Sequence, residues 1–253
     1  MLVIRRSQLE VLGIQSHVRF EQKLVDHFLR VYPRECRQAG GAEQVRNLVR
    51  NGIDHGLRRG FTAESQIGLF VALRFIMGAG FDRDPQIPWA AEILDNPSIR
   101  NLDLRIHLVY DRALQYLEHT AGENCEHVVR AMLRLRDWDL ATAPATGDGW
   151  SAAMLELLRG LYPQKVDYQG EAATGRLIAD GLAKSESCGI GTASGAALCV
   201  ILMFMLGSEF DGDDLHPWAA RVLSDKAISN HADRVAELYR ASRAHLEASL
   251  SPD

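Results

Sequence analysis

"FDRDPQIPWAAEIL" spans Phe81–Leu94, and "FDGDDLHPWAARVL" spans Phe210–Leu223. The two stretches lie 129 positions apart in a chain of 253 residues. At the same offset Gly52, Gly60, Ser65 and Gly78 meet Gly181, Gly189, Ser194 and Gly207. Leu69, Val71, Leu73 and Phe75 meet Leu198, Val200, Leu202 and Phe204. Ile99, Asn101, Arg105 and Tyr110 meet Ile228, Asn230, Arg234 and Tyr239, and no gap is needed from Glu43 to Tyr110. Upstream, a shift of one residue aligns Tyr32-Pro33 with Tyr162-Pro163 and Phe20 with Trp150. Glycines, Pro-Trp and apolar rhythm recur together, which points to a duplicated module of roughly 100 residues, an ordinary domain size. The expected organisation is a first unit with its N-terminal segment over 1–120, a connecting helix and linker over 121–148, and a second unit over 149–253. "ATAPATGDG" (Ala141–Gly149) has linker chemistry.

The period inside each unit is helical. Ile99, Leu102, Ile106, Val109, Ala113 and Leu117 are spaced by three and four, the stripe of an amphipathic surface helix. Just before the repeated motif, "QIGLFVALRFIMG" and "GAALCVILMFMLG" are apolar nearly all round and belong at the centre of a bundle. Thr62 is the expected N-cap of the first of these helices, and Gly78 and Gly207 are their expected left-handed ends. Strict alternation is scarce and no Asn-Gly hairpin joins β-branched runs. The fold class is therefore all-α, two tandem helical units joined by a helix and a short linker.

Bulk properties narrow the function classes. The apolar fraction of 47% and charged fraction of 24% suit a globular core. A net charge of -5 offers no basic face for phosphates, so nucleic acid is not an expected partner. Cys36, Cys125, Cys188 and Cys199 form no C-x-x-C pair, and neither a zinc nor a disulfide framework is expected. The N-terminus lacks a signal-peptide pattern. The longest apolar run, Ala196–Leu206, is far short of the roughly 20 residues a membrane span needs. These readings point to a cytoplasmic protein.

The repeated motif invites a chemical reading. A calcium loop beginning at Asp82 or Asp211 fails, because the glycine and glutamate positions hold Ile87 and Ile93, or His216 and Val222. Asp82 and Asp84, or Asp211 and Asp213, are carboxylate pairs of the acid–base type. Their duplication fits a structural corner better than two active sites. In that reading a glycine ends the central helix, Phe81 anchors the return, the aspartates accept backbone N–H groups, Pro88 opens the next helix, and Trp89 and Trp218 are buried. Arg74, replaced by Met203 in the second copy, is expected either to pair with Asp82 or Asp84 or to extend its head to water. The histidines form no metal-binding spacing, and His27 and His231 fall near apolar helix positions. No serine sits in a G-x-S-x-G elbow. The glycines of "SESCGIGTASG" (Ser185–Gly195) lack the preceding strand of a nucleotide loop. No catalytic, cofactor or metal residue is thereby assigned, and no cofactor is expected.

"IRRSQLEVL", "FEQKLVDHFLRVYP" and "VRNGIDHGLRRGFTAESQIGLFVALRFIMGAGFDRDPQIPWAAEIL" resemble small helical proteins of Gram-negative bacteria encoded beside type VI secretion spike and effector genes. The resemblance covers roughly residues 3–118, the first unit and the segment before it. It implies a non-enzymatic accessory, an adaptor or chaperone that loads an effector on the spike or an immunity protein for a toxin. The second copy departs at Met203 and at Asp214, which stands opposite Pro85. Two alternatives stand beside this reading: an enzyme or small-ligand binder with its site between the units, and a self-associating structural protein.

Overall fold

The computed structural model describes residues 6–251, with side chains from Val18 onward. Within Ile4–Leu12, Ile4 and Arg5 and all the side chains lie outside the described residues, as do residues 1–5 of the N-terminus read for a signal peptide. Twelve α-helices follow one another, with no strand among the described residues. They are α1 (Arg6–Val31), α2 (Pro33–Ala39), α3 (Ala42–Arg58), α4 (Glu64–Met77), α5 (Pro88–Leu94), α6 (Leu102–Ala121), α7 (Glu126–Asp137), α8 (Trp150–Leu161), α9 (Pro163–Ser187), α10 (Ala193–Leu206), α11 (Pro217–Ser224) and α12 (His231–Leu250).

Helix boundaries recur at the offset read from the sequence: α4 with α10, α5 with α11, α6 with α12. The long α9 spans the counterparts of both α2 and α3. Gly170, with φ 79°, breaks its helical path where Gly40 and Gly41 separate the shorter pair. Shared residues do shared work. Asn101 and Asn230 cap α6 and α12 by accepting from Leu104 N and Asp233 N. Arg105 donates to the carbonyls of Asn96 and Ile99, and Arg234 to those of Asp225 and Ile228. Each arginine thus holds the loop that feeds its helix.

Two apolar cores result. In the first, Phe28 stacks on Phe75 at 4.5 Å, and Phe70 sits between Phe61 and Phe81. In the second, every residue of α10 from Gly195 to Phe204 is buried. An all-apolar helix tolerates this position because it exposes no polar face that burial would leave unpaired. Phe81 and Phe210 are each 1% exposed, contributing on the order of 1.5–3 kcal/mol apiece.

Three expectations need correction. The N-cap of α4 is Ala63 and not Thr62; the side chain of Gln66 accepts from both Thr62 N and Ala63 N. The true counterpart of Ala63 is Thr192, whose hydroxyl caps α10 by accepting from Gly195 N. Ile99 precedes α6 instead of belonging to its stripe, and His27 and His231 are exposed.

Candidate functional site

The second aspartate of each motif reaches across to the other copy. Asp84 Oδ1 accepts from Gln86 N at 2.9 Å within its own turn, while Oδ2 accepts from Ser208 N at 2.8 Å, just past the end of α10. Asp213 Oδ1 accepts from Leu215 N at 2.9 Å, and its Oδ2 from Ala79 N at 2.8 Å, just past the end of α4. The four bonds form a reciprocal clasp, with each buried carboxylate accepting from the backbone N–H two residues past the other copy's central helix. Gly78 and Gly207 adopt φ 98° and 105°, a region essentially reserved for glycine. A Cβ on Gly78 would stand 3.0 Å from Leu206 O, so the close approach of the helix ends also requires glycine. Asp214 adds to the joint by accepting from Asn51 at 2.7 Å and Gln44 at 3.1 Å. The change from Pro85 to Asp214 thereby converts a turn residue into a tie between copies.

The first aspartates pair locally. Asp82 Oδ2 accepts from Arg59 at 2.6 Å and from His55 Nε2 at 3.0 Å. Burial alone raises the carboxyl's pKa, but hydrogen bonds from His55 and Arg59 outweigh it and bring Asp82 down to about 2. Asp211 pairs with Lys184, the counterpart of His55. Arg74 bonds neither aspartate: its Nη1 donates to His55 Nδ1 at 2.9 Å. Because arginine only donates, Nδ1 accepts and the ring proton sits on Nε2 facing Asp82. Both nitrogens of His55 are therefore committed, which removes the motif's histidine as an available base. Trp89 is 9% exposed and Trp218 is half-buried. Among the described residues no group of three or more His, Cys, Asp or Glu is placed to hold a metal ion.

A crevice of about 390 Å³ lies between the copies, lined among others by Glu35, Asp84, Lys165 and Asp213. Three of these charged groups already have structural tasks. Asp84 and Asp213 join the two copies, and Lys165 donates to Phe204 O near the C-terminus of α10, where a cation complements the helix dipole. Burial pushes the Lys165 ammonium down to about 8.

A different surface has no such internal use. On α4 and α6 of the first copy, Ile76, Tyr110 and Leu114 are 44%, 37% and 47% exposed. With the partly buried Leu69 and Leu117 they are the positional counterparts of Leu198, Met205, Tyr239, Arg243 and Leu246, which line a groove in the second copy, and the α4–α6 groove of the first copy is named by that match. Asp111 and Glu118, at i-3 and i+4 from Leu114, give its outer edge negative charge. The counterparts in the second copy are Met205, Tyr239 and Arg243, and all three are partly buried. There α7 lies over the groove and presents Val128, Met132 and Leu135 to it. Tyr239 donates its hydroxyl to Trp138 O at 2.7 Å, at the end of α7. The cause of the asymmetry is local. Gly147 and Gly149, with φ 133° and 82°, break the chain before α8 and let α7 fold back. At the matching place α1 runs on as unbroken helix to Arg6.

Asp84 and Asp213 thus meet at the joint, Asp82 and Asp211 pair within their own copies, and Trp89 is buried in the first core; Trp218, expected to be buried, is half-buried and lines the covered groove of the second copy. The groove residues escaped sequence reasoning because Tyr110 and Leu114 lie off the α6 core stripe. Their signal was a second apolar stripe, Tyr110, Leu114 and Leu117, on a helix that already had one buried face. No family model, curated protein or solved structure matches this chain.

Proposed function

We propose that this chain is a non-enzymatic protein-binding accessory of type VI secretion, of the adaptor, chaperone or immunity type. A partner's helix seats in the α4–α6 groove of the first copy. The observation that carries the reading is the contrast between copies: one groove is covered by an amphipathic helix, while among the described residues its counterpart keeps Ile76, Tyr110 and Leu114 exposed. Helix-in-groove recognition uses apolar anchors on one helical face, which is what α7 presents in the covered groove. The type VI association rests on the sequence resemblance, which also supplies the class of partner, a spike or an effector protein.

Capture with tagged protein tests it, using wild type, an Ile76→Arg/Leu114→Arg double variant, and Leu182→Arg as an exposed apolar control elsewhere. A spike or effector protein recovered by wild type and the control, and lost by the double variant, is the expected result. Recovery of the same partner by the double variant, or of no secretion component by any bait, overturns the proposal.

A second reading places a small ligand in the crevice beside Lys165 and Glu35. The prior engagement of Lys165, Asp84 and Asp213 makes it the weaker one, since a ligand would have to replace bonds that join the two copies and hold the end of α10.

A further inference from the structure

We infer that the groove of the second copy is itself a helix-binding site, and that α7 is a tethered stand-in for the segment that occupies it in trans. This rests on the groove reading above and extends it to a second site and a ligand class. Four observations converge. First, α7 covers the positional counterpart of the bare groove. Its apolar residues Val128, Ala131, Met132 and Leu135 fall at i, i+3, i+4 and i+7, the anchor pattern of a groove-binding helix.

Second, α7 is lightly held. Of its residues only Ala131 is fully buried, Val129 is 43% exposed, and a cleft of about 190 Å³, partly open to solvent, runs beside it among Leu198, Leu202, Trp218 and Leu246. Third, the helix is bounded by breaks. Asn124 and Cys125 take φ 55° and 61° before it, and the glycine-bearing linker up to Gly149 follows it. Release of α7 would break two polar ties, Arg134 to Leu161 O at the end of α8 and Tyr239 to Trp138 O. Fourth, α7 carries Arg130, Arg134 and Arg136 against Glu126 and Asp137. Its excess positive charge complements the acidic edge at Asp111 and Glu118 of the first groove. The ligand class for both grooves is accordingly a basic amphipathic helix with apolar residues in the α7 pattern.

The probe is a fluorescein-labelled synthetic peptide of Asn124–Trp138, titrated into the full chain while anisotropy and stoichiometry are read. Wild type is expected to bind one peptide, in the first groove. Ala131→Arg, which cannot keep its buried place, releases α7 and is expected to bind two. Leu114→Arg lowers each count by one. A Val128→Ala/Leu135→Ala variant loosens α7 without adding charge and guards against misfolding in Ala131→Arg; far-UV circular dichroism verifies both. The inference is overturned if variants with intact helical content bind no more peptide than wild type. If wild type binds none while the released variants bind one, the first-groove reading fails and this inference stands.

Discussion

Replacing Asp84 by alanine tests whether the repeated motif is a clasp between copies. The carboxylate is 4% exposed and accepts from Gln86 N at 2.9 Å and Ser208 N at 2.8 Å. Truncation leaves these two N–H groups without their acceptor in a water-poor joint. Each unmet donor costs about 1–3 kcal/mol, so the variant should lose roughly 2–6 kcal/mol. Asp213→Ala should lose a similar amount, through Leu215 N and Ala79 N. Asp84→Asn keeps one acceptor oxygen and should lose about half as much. The double alanine variant should depart from additivity, since both carboxylates belong to one joint. It should also unfold in two steps, because each copy keeps its own core. Urea titration followed by far-UV circular dichroism and tryptophan fluorescence reads all of these. The control is Asp211→Ala, whose partly exposed pair with Lys184 should contribute no more than about 1 kcal/mol. A loss below about 0.5 kcal/mol for Asp84→Ala, within the range of ordinary surface substitutions, refutes the clasp. So does a larger loss for Asp211→Ala.

Further expectations follow from the same contacts. Asp82, held down at about 2 against an ordinary 3.8, stabilises the fold above pH 4 and loses that contribution as the pH falls toward 2. The window is worth about 2 kcal/mol, and Asp82→Asn should flatten the acid limb of a urea-midpoint profile. Lys165 behaves oppositely: its ammonium is pushed from 10.5 to about 8. The folded state therefore sheds the proton first, and stability should rise between pH 8 and 10.5 by about 3 kcal/mol. Lys165→Met should remove that rise in the same measurement. Gly78→Ala, forced to φ 98° with its Cβ 3.0 Å from Leu206 O, should cost about 1–3 kcal/mol or more, visible as a lower melting temperature.

Much of the fold was legible because local rules govern it. The apolar character of α4 and α10, the proline openings of α5 and α11, and the glycine ends of the central helices are all properties of short windows. The clasp was not legible for a physical reason. Asp84 finds Ser208 N across a separation of 124 residues. Comparison at a fixed offset shows which residues the copies share, and leaves open that a shared residue serves the opposite copy. Arg74 was expected either to pair with Asp82 or Asp84 or to extend to water, yet it bonds His55, which stands between it and Asp82, and the counterpart of His55, Lys184, is a different residue type that comparison of the copies passes over. Thr62 lost its capping role by one position, since its own N–H is satisfied by Gln66. The groove demanded knowledge of what covers each face. Composition alone cannot distinguish Leu114, 47% exposed, from a core leucine.

The most direct test of the central claim is hydrogen exchange mapped by mass spectrometry, with and without the Asn124–Trp138 peptide. The expected result is slowed exchange in α4 from Leu69 to Ile76 and in α6 from Tyr110 to Leu117, abolished by Leu114→Arg. Binding with protection confined to the crevice around Lys165, or no protection of α4 and α6 at saturating peptide, would contradict it.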